Sequence, residues 1–253
     1  MSIGLIIALV GVLLLLILGY NIMLQYKVKV ETAKKHESTR YVAIIDATED
    51  LIGNAHHVPY SKDLLLCLNN RILDALQNMY ELDPRNKQLA HRIENMQGQV
   101  KNLRENHPNQ DSTTFKSPTN DKQAITMLKL VKRLRDTVRS EHNKGRLDTQ
   151  SFVTENARLE MIQIRINIEN VVKRANESIV RGQPGTAIQL LKKGIDVLST
   201  KNDAYSNQAR EKLQAMYDEL ENKRQQKKTS VETQGDRERD DDMEALFGEK
   251  KKW

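Results

Sequence analysis

The first 24 residues contain the longest uninterrupted apolar stretch of the chain. Ile3–Leu24 carries no formal charge, and only Tyr20 and Asn21 are clearly polar. A helix of this length spans the roughly 30 Å hydrocarbon core of a bilayer, because each residue adds about 1.5 Å. A cleaved signal peptide would need a basic start, a shorter apolar run and a small-residue cleavage site, which the segment lacks. The pattern therefore predicts an uncleaved signal-anchor, a transmembrane helix over residues 1–26.

Beyond the anchor, apolar residues recur at helical spacing. Residues 27–60 predict a juxtamembrane helix ending near Gly53, then a turn and an N-cap at Ser61. Residues 61–106 show two heptad patterns separated only by Asp83-Pro84, with Asp83 as the expected N-cap of the second helix. So short a break predicts an antiparallel coiled-coil hairpin. Its expected interface is Leu65, Leu68, Ile72, Met79, Leu89, Ile93, Met96, Val100 and Leu103.

A second group of helices is predicted after a Pro- and Asn-containing linker at residues 107–120. The isoleucines between Ile162 and Ile168 alternate with polar residues as in a strand, but the flanking apolar residues keep helical spacing. We therefore expect a helix that is buried on most sides. The expected helical bundle covers residues 121–228. Its first helix is expected to end near Asn143, and the other three are expected over Thr149–Arg181, Thr186–Leu198 and Asp203–Lys228. The hydrophilic residues 229–253 are expected to be a disordered tail.

Composition favours helices throughout. Aromatic residues make up 4% of the chain, with only 5 Pro and 11 Gly in 253 residues, which argues against large sheets. The predicted fold class is all-α: one N-terminal transmembrane helix, a coiled-coil hairpin, a C-terminal helical bundle and a disordered tail.

Charge predicts the orientation. The apolar run is followed, not preceded, by basic residues, which favours an outside N-terminus and a cytoplasmic body. The single Cys67 fits a reducing compartment. We expect a single-pass protein of a bacterial inner membrane. The basic residues that follow the apolar run and predict this orientation are Lys27, Lys29, Lys34, Lys35 and Arg40.

A second basic cluster lies between Lys122 and Arg146, a segment that contains eight Lys and Arg residues but only two carboxylates. A basic helix can bind acidic lipid headgroups, the phosphates of nucleic acid or an acidic partner. A solvated helix face is the plainer interpretation. The candidate phosphate- or lipid-binding residues are Lys129, Lys132, Arg133, Arg135 and Arg139.

The segment Ala175–Asp203 resembles one tetratricopeptide repeat. Small residues stand at the matching positions Ala175, Gly182, Ala187 and Gly194, with Leu191 at the large apolar position. Ser199 occupies the usual place of a proline, and the aromatic residues typical of the first helix are absent. Because such solenoids need about three repeats, the resemblance implies a single helical pair packed against its neighbours, in a fold that binds other proteins.

The segment Asp240–Gly248 reads DDDMEALFG. It resembles the acidic-hydrophobic segment, D-E-I-D-A-L-L, at the N-terminus of the bacterial flagellar switch protein, which docks the chemotaxis response regulator. In a helix, Met243, Leu246 and Phe247 would share a face between acidic residues and Lys250–Lys252. This is a candidate partner-binding motif, with a response regulator as the implied partner; an ordinary solvated tail is the alternative.

Chemical motifs are absent from the sequence. It contains no Gly-rich phosphate loop, paired Cys motif, H-E-x-x-H or G-x-S-x-G. We therefore expect no enzyme, no catalytic residue, no metal site and no cofactor. The sequence favours a membrane-anchored cytoplasmic adaptor or scaffold that binds protein partners and is able to form homo-oligomers. The alternative is a membrane-tethered nucleic-acid or chromosome-associated protein that uses the basic helix.

Overall fold

The computed structural model describes the backbone of residues 3–106 and 116–247, and the side chains of residues 3, 4, 11, 13–106 and 116–226. Within this part of the chain the protein is all-helical and has no strand, which confirms the all-α fold class. The predicted linker at residues 107–120 lies largely outside the described residues. The helices are α1 (Ile3–Gly53), α2 (Lys62–Leu82), α3 (Lys87–Asn106), α4 (Asp121–Asn143), α5 (Thr149–Val180), α6 (Pro184–Ser199) and α7 (Ala204–Phe247).

Helix α1 joins the predicted anchor and the juxtamembrane helix without a break. It runs for 51 residues and ends at Gly53, as predicted. The segment from Gln25 to Arg40 is exposed apart from the partly buried Ser38. From Tyr41 onward one face of α1 is buried, with Ile45 and Leu51 in the interior. The apolar segment thus leads directly into a helix of the folded body.

Helix α2 packs against both α1 and α3. Ser61 is its N-cap, as predicted, and the Ser61 side chain accepts a hydrogen bond from the Leu64 amide. The predicted N-cap role of Asp83 is wrong, because Asp83 is the C-cap of α2 and donates its amide to Met79 O. Asn86 takes that role for α3, since its side chain accepts from the amides of Gln88 and Leu89.

Helices α4 and α5 follow the predicted bounds closely. Asn120 precedes α4 and accepts a hydrogen bond from the Gln123 amide, while Asp148 does the same for Ser151 in α5. All side chains from Met161 to Lys173 are buried or half-buried, so the helical interpretation of the alternating isoleucines is confirmed. Gly182 ends this part of the chain with φ at 71°, a left-handed conformation that favours glycine.

Helix α7 is longer than predicted. Its backbone is helical to Phe247, so the disorder predicted for residues 229–247 is wrong. Residues 229–247 contain no proline and only one glycine, and their mixed Glu, Asp and Arg residues are compatible with a helix. Residues 248–253 lie outside the described part of the chain.

The chain divides into two compact units. Unit 1 comprises Met1–Lys116 and Leu130–Leu159, and unit 2 comprises Ser117–Lys129 and Glu160–Trp253. One apolar cluster of unit 1 joins α1, α2 and α3 around Ile45, Ile72 and Met96. The core of unit 2 joins α5, α6 and α7 around Ala175, Leu191 and Leu213.

Candidate membrane anchor and interaction surfaces

The apolar segment of α1 has no covering within the described chain. Helix α1 is long and apolar enough to cross a membrane, and none of its most apolar window is buried against the protein. The large apolar side chains from Leu13 to Leu24 are 47–72% exposed. A helix that is apolar on all sides and unburied by protein is typical of a lipid environment.

The basic residues after this segment lie in water-accessible positions. Lys27, Lys29, Lys35 and Arg40 are exposed. Lys34 is also exposed, and its Nζ donates to the carbonyl of Leu82, 3.5 Å away, at the end of α2. The turn between α2 and α3 therefore lies beside the early, unpacked part of α1.

The residues predicted for the coiled-coil interface fall into three groups. Leu68, Ile72, Met96 and Val100 are buried. Those that are half-buried and pack against the cluster of Ile45, Ile72 and Met96 are Met79, Leu89 and Ile93. Leu65 and Leu103, towards the open end of the helix pair, are half-buried. Helix α1 covers α2 as well, so the structure brings most of these residues into a three-helix cluster instead of a two-helix seam.

The predicted phosphate-binding residues of α4 are not equivalent. Arg133 is bound to Asp50, with Nη1 2.7 Å from the carboxylate, and Arg135 donates to Asn156. Lys132 and Arg139, in unit 1, and Lys129, in unit 2, are exposed. The guanidinium groups of two predicted phosphate ligands are therefore already occupied by protein acceptors.

The predicted tail motif lies at the end of the described backbone. Met243, Leu246 and Phe247 belong to the last turns of α7, but their side chains lie outside the described residues. The helical backbone is the condition under which the three would share a face.

Sequence reasoning missed a buried ionic cluster in unit 1. Glu141 is 1% exposed, and it accepts from Arg71 at 2.6 Å, Lys144 at 3.1 Å and Arg146 at 3.2 Å. Arg71 also donates to the hydroxyl of Thr48 on α1. Arg146 reaches Asp74 on α2 at 2.6 Å. The cluster thus ties α1, α2 and α4 together through charge-assisted hydrogen bonds.

The electrostatic state of the Glu141 cluster follows from its partners. Burial alone would raise the pKa of Glu141, but hydrogen bonds from Lys144 and Arg146 and the charges of Lys144 and Arg71 lower it below its ordinary value. Glu141 is therefore an anion with three cationic partners. Burial prevails at the neighbouring thiol and raises the pKa of Cys67 to about 12. Cys67 is consequently a small buried hydrophobic residue and not a nucleophile.

A second buried carboxylate lies nearby in the same unit. Glu155 is 3% exposed, and Arg158 donates to both of its oxygens at 2.9–3.2 Å. The other arm of Arg158 donates to the carbonyl of Pro59 in the turn after α1, at 2.8 Å. This arrangement secures the turn that leads to α2.

Both glutamates could have been found from the sequence. Met127, Val131, Leu134 and Val138 are spaced 4, 3, 4, and Glu141 continues the same buried stripe. Glu155 similarly falls between Phe152 and Leu159 on the inner face of α5. A carboxylate on an apolar stripe is the signal for a buried ion pair, because an unpaired one would be too costly.

Unit 2 carries a shallow groove of about 520 Å³. Pro118, Val172 and Val180 give it an apolar lining, and Lys173, Glu177 and other charged residues surround them. Lys173 is engaged by the carbonyl of Thr119. No group of three or more His, Cys, Asp or Glu among the described residues could hold a metal ion. The groove can accept an apolar side chain.

The tetratricopeptide-like positions of unit 2 lie in its core. Ala175, Ala187, Leu191 and Gly194 are all buried. A Cβ on Gly194 would lie 3.3 Å from Val171 Cγ1 and 3.5 Å from Leu213. The absence of a side chain at this position therefore permits the close packing of α6 against α5 and α7.

Comparison of the chain with protein-family models, curated proteins and solved structures finds no match. The function of the protein is therefore inferred from the physical properties of the anchor segment and the helical body.

Proposed function

We propose that this protein is a non-enzymatic scaffold that is anchored in a membrane by α1 and holds a helical protein-binding body at the cytoplasmic face. The observation that carries this proposal is the unburied apolar segment of α1, which continues as one helix into the packed interior of unit 1. A rigid connection of this kind would fix the body at a defined position on the membrane. The basic residues that follow the segment support the inward orientation.

Three parts of the body are proposed to bind partners or copies of the chain. The α2–α3 hairpin has heptad spacing and would support oligomerisation; because most of its heptad residues pack inside unit 1, the contact would involve the half-buried Leu65 and Leu103 at its open end. The α5–α6 pair, with its tetratricopeptide-like small residues, would present a surface to other proteins. The end of α7, with Met243, Leu246 and Phe247, would act as a short docking motif of the helix-in-groove kind. A response regulator is the partner implied by the resemblance of that segment.

The anchor is tested by placing charge in its middle. Arginine at the centre of a membrane helix costs about 2.5–3.5 kcal/mol per residue on insertion scales. The full chain with Leu14→Arg and Leu16→Arg should move from the membrane pellet to the soluble fraction after cell lysis. The matched control is Leu14→Ala with Leu16→Ala, which should stay in the pellet. An arginine variant that remains bound after carbonate extraction would contradict the anchor.

The scaffold proposal is tested by capture of partners with the full chain in detergent. Replacing Met243, Leu246 and Phe247 by Ala should remove a protein partner that survives nuclease treatment, while replacing Lys250, Lys251 and Lys252 by Ala should keep it. Retention of the same partners by both variants would show that the tail is not a docking motif. The nucleic-acid alternative would be supported instead if the parent chain captured nucleic acid and charge reversal at Lys129, Lys132 and Arg139 abolished that capture.

A further inference from the structure

The turn between α2 and α3 is held next to the start of the water-exposed part of α1. Helix α2 runs antiparallel to α1, because Arg71 near its middle bonds to Thr48 and Leu82 at its end accepts from Lys34. The intervening Ile72 shares a core with Ile45. This register directs the turn towards the apolar segment and away from the Gly53 end of α1.

The helix geometry gives the height of this turn above the lipid. Lys34 lies ten residues after Leu24, which corresponds to about 15 Å along the axis. The headgroup layer on one side of a bilayer takes up roughly 5–8 Å of that distance. The remaining gap of about 7–10 Å is close to the Debye length of about 8 Å at physiological ionic strength. The side chains of the turn would therefore experience the surface potential of the membrane.

The charges from the headgroup layer up to the turn are predominantly positive. Arg85 in the turn and Lys87 at the start of α3 are exposed, and neither forms an ion pair within the described part of the chain. Together with the nearby part of α1 the surface has six cations and three carboxylates. These residues are Lys27, Lys29, Lys34, Lys35, Arg85 and Lys87, against Glu31, Glu81 and Asp83.

We propose that this surface, the basic tip, binds anionic lipid headgroups, so that Arg85 and Lys87 form a second contact with the membrane in addition to the insertion of α1. The inference rests on the proposed membrane anchoring. Its physical basis is charge complementarity with the anionic lipids of the cytoplasmic leaflet. The contact would limit the tilt of α1 and set the orientation of unit 1 relative to the lipid surface.

The experiment measures how close the basic tip comes to lipid. The full chain, with Cys67→Ala and a fluorescent label on Gln88→Cys, is reconstituted into vesicles that contain an acceptor dye on the headgroups. One set of vesicles is phosphatidylcholine, and the other contains about one third phosphatidylglycerol. Energy transfer from the label should be higher in the anionic vesicles, and the excess should disappear near 1 M salt, where the Debye length is about 3 Å.

The variants identify the residues responsible. Each neutralised cation should lower the ratio of docked to undocked tip about fivefold, so Arg85→Gln with Lys87→Gln should remove most of the excess transfer. The matched control is Lys101→Gln with Arg104→Gln, which removes two exposed cations of α3 on turns that lie further from the tip. The control should behave like the parent chain, and circular dichroism should show unchanged helix content in all variants.

Two results would overturn the inference. Equal transfer in neutral and anionic vesicles would show that the tip does not respond to lipid charge. Equal losses in the two double variants would show that the attraction is a general property of the net charge. Both results are interpreted only for chains that float with the vesicles in a density gradient, because flotation shows that the chain is bound to lipid. A chain that floats with neither kind of vesicle would overturn the proposed anchor itself, which separates the two failures.

Discussion

The two units of this protein are stabilised by different kinds of interior. Four of the five buried polar residues in the described chain belong to unit 1: Thr48, Asn69, Glu141 and Glu155. Among its described side chains, unit 2 has only Ser206, close to the N-terminus of α7. Unit 1 thus combines apolar packing with buried ion pairs, whereas unit 2 depends almost entirely on the fit of apolar side chains.

This difference has consequences for how each unit specifies its structure. A buried carboxylate such as Glu141 accepts only an arrangement that supplies its cationic partners, and it penalises any other packing of α1, α2 and α4. In unit 2, specificity depends on shape, as at Gly194, where any side chain would meet Val171 and Leu213. The unit that carries the proposed anchor is therefore the one with the more directional interactions.

The largest effect is expected from removing the centre of the ionic cluster. Glu141→Leu leaves Arg71 in the interior without its carboxylate, which should cost about 3–5 kcal/mol. Hydrogen exchange of the full chain in detergent should rise in α2 and in the second half of α4, and stay unchanged in α6 and α7. The matched control is Glu49→Leu, which breaks the exposed Arg92 pair and should cost less than about 1 kcal/mol. Equal effects of the two variants would remove the distinction drawn for unit 1.

The next effect is a cavity in unit 2. Leu191 on α6 is completely buried, and Leu191→Ala should destabilise this unit by about 2–5 kcal/mol. Exchange should rise in α6 and α7 and leave the amides of α2 unaffected. Val197→Ala on the same helix is the control, because Val197 is 47% exposed and its truncation should change stability by no more than about 0.5 kcal/mol.

A smaller effect is expected from acid. The folded pKa of Glu141 is lowered, so the native state binds fewer protons than the unfolded state as acid is added. Its contribution to stability is complete above the ordinary glutamate pKa of about 4.3 and is lost as pH falls through the lower folded value. The protection of amides in α2 and α4, measured as exchange relative to the intrinsic rate at each pH, should therefore fall with acid across this range, and Glu141→Gln should reduce the dependence.

The same titration in unit 2 should be shallower. Burial would raise the pKa of Asp203, but hydrogen bonds from the side chain and amide of Ser206 lower it, and this carboxylate is only half-buried. A slope in α6 and α7 as steep as that in α2 and α4 would contradict the comparison.

The sequence predicts the helices far better than it predicts the ionic interior. Apolar spacing gives α2, α5 and α6 to within a few residues, because each of these helices buries its own stripe. The partner of Glu141 cannot be predicted in that way, since Arg71 lies 70 positions earlier and meets it only when α2 and α4 pack. The cap at Asn86 was missed for a local reason: Pro84 and Asp83 give an equally good signal three residues earlier.

The smallest expected effect is the loss of a helix N-cap. It should be equal in the two units, so it provides a common reference for the stability changes measured in each. Ser61 caps α2 through the Leu64 amide, and Asp203 caps α7 through the Ser206 amide, with distances of 3.0 and 2.9 Å. Each acceptor contacts the third residue of its helix, so Ser61→Ala and Asp203→Ala should each cost about 1 kcal/mol. Ser61→Asp and Asp203→Ser, which keep a capping oxygen, should retain most of that stability when exchange of the first helical turn is measured. The alternative outcome is that Ser61→Ala raises exchange throughout unit 1 while Asp203→Ala raises it only in the first turn of α7. In that case the buried ionic cluster depends on the N-cap of α2, and the difference between the units includes the effect of that cap.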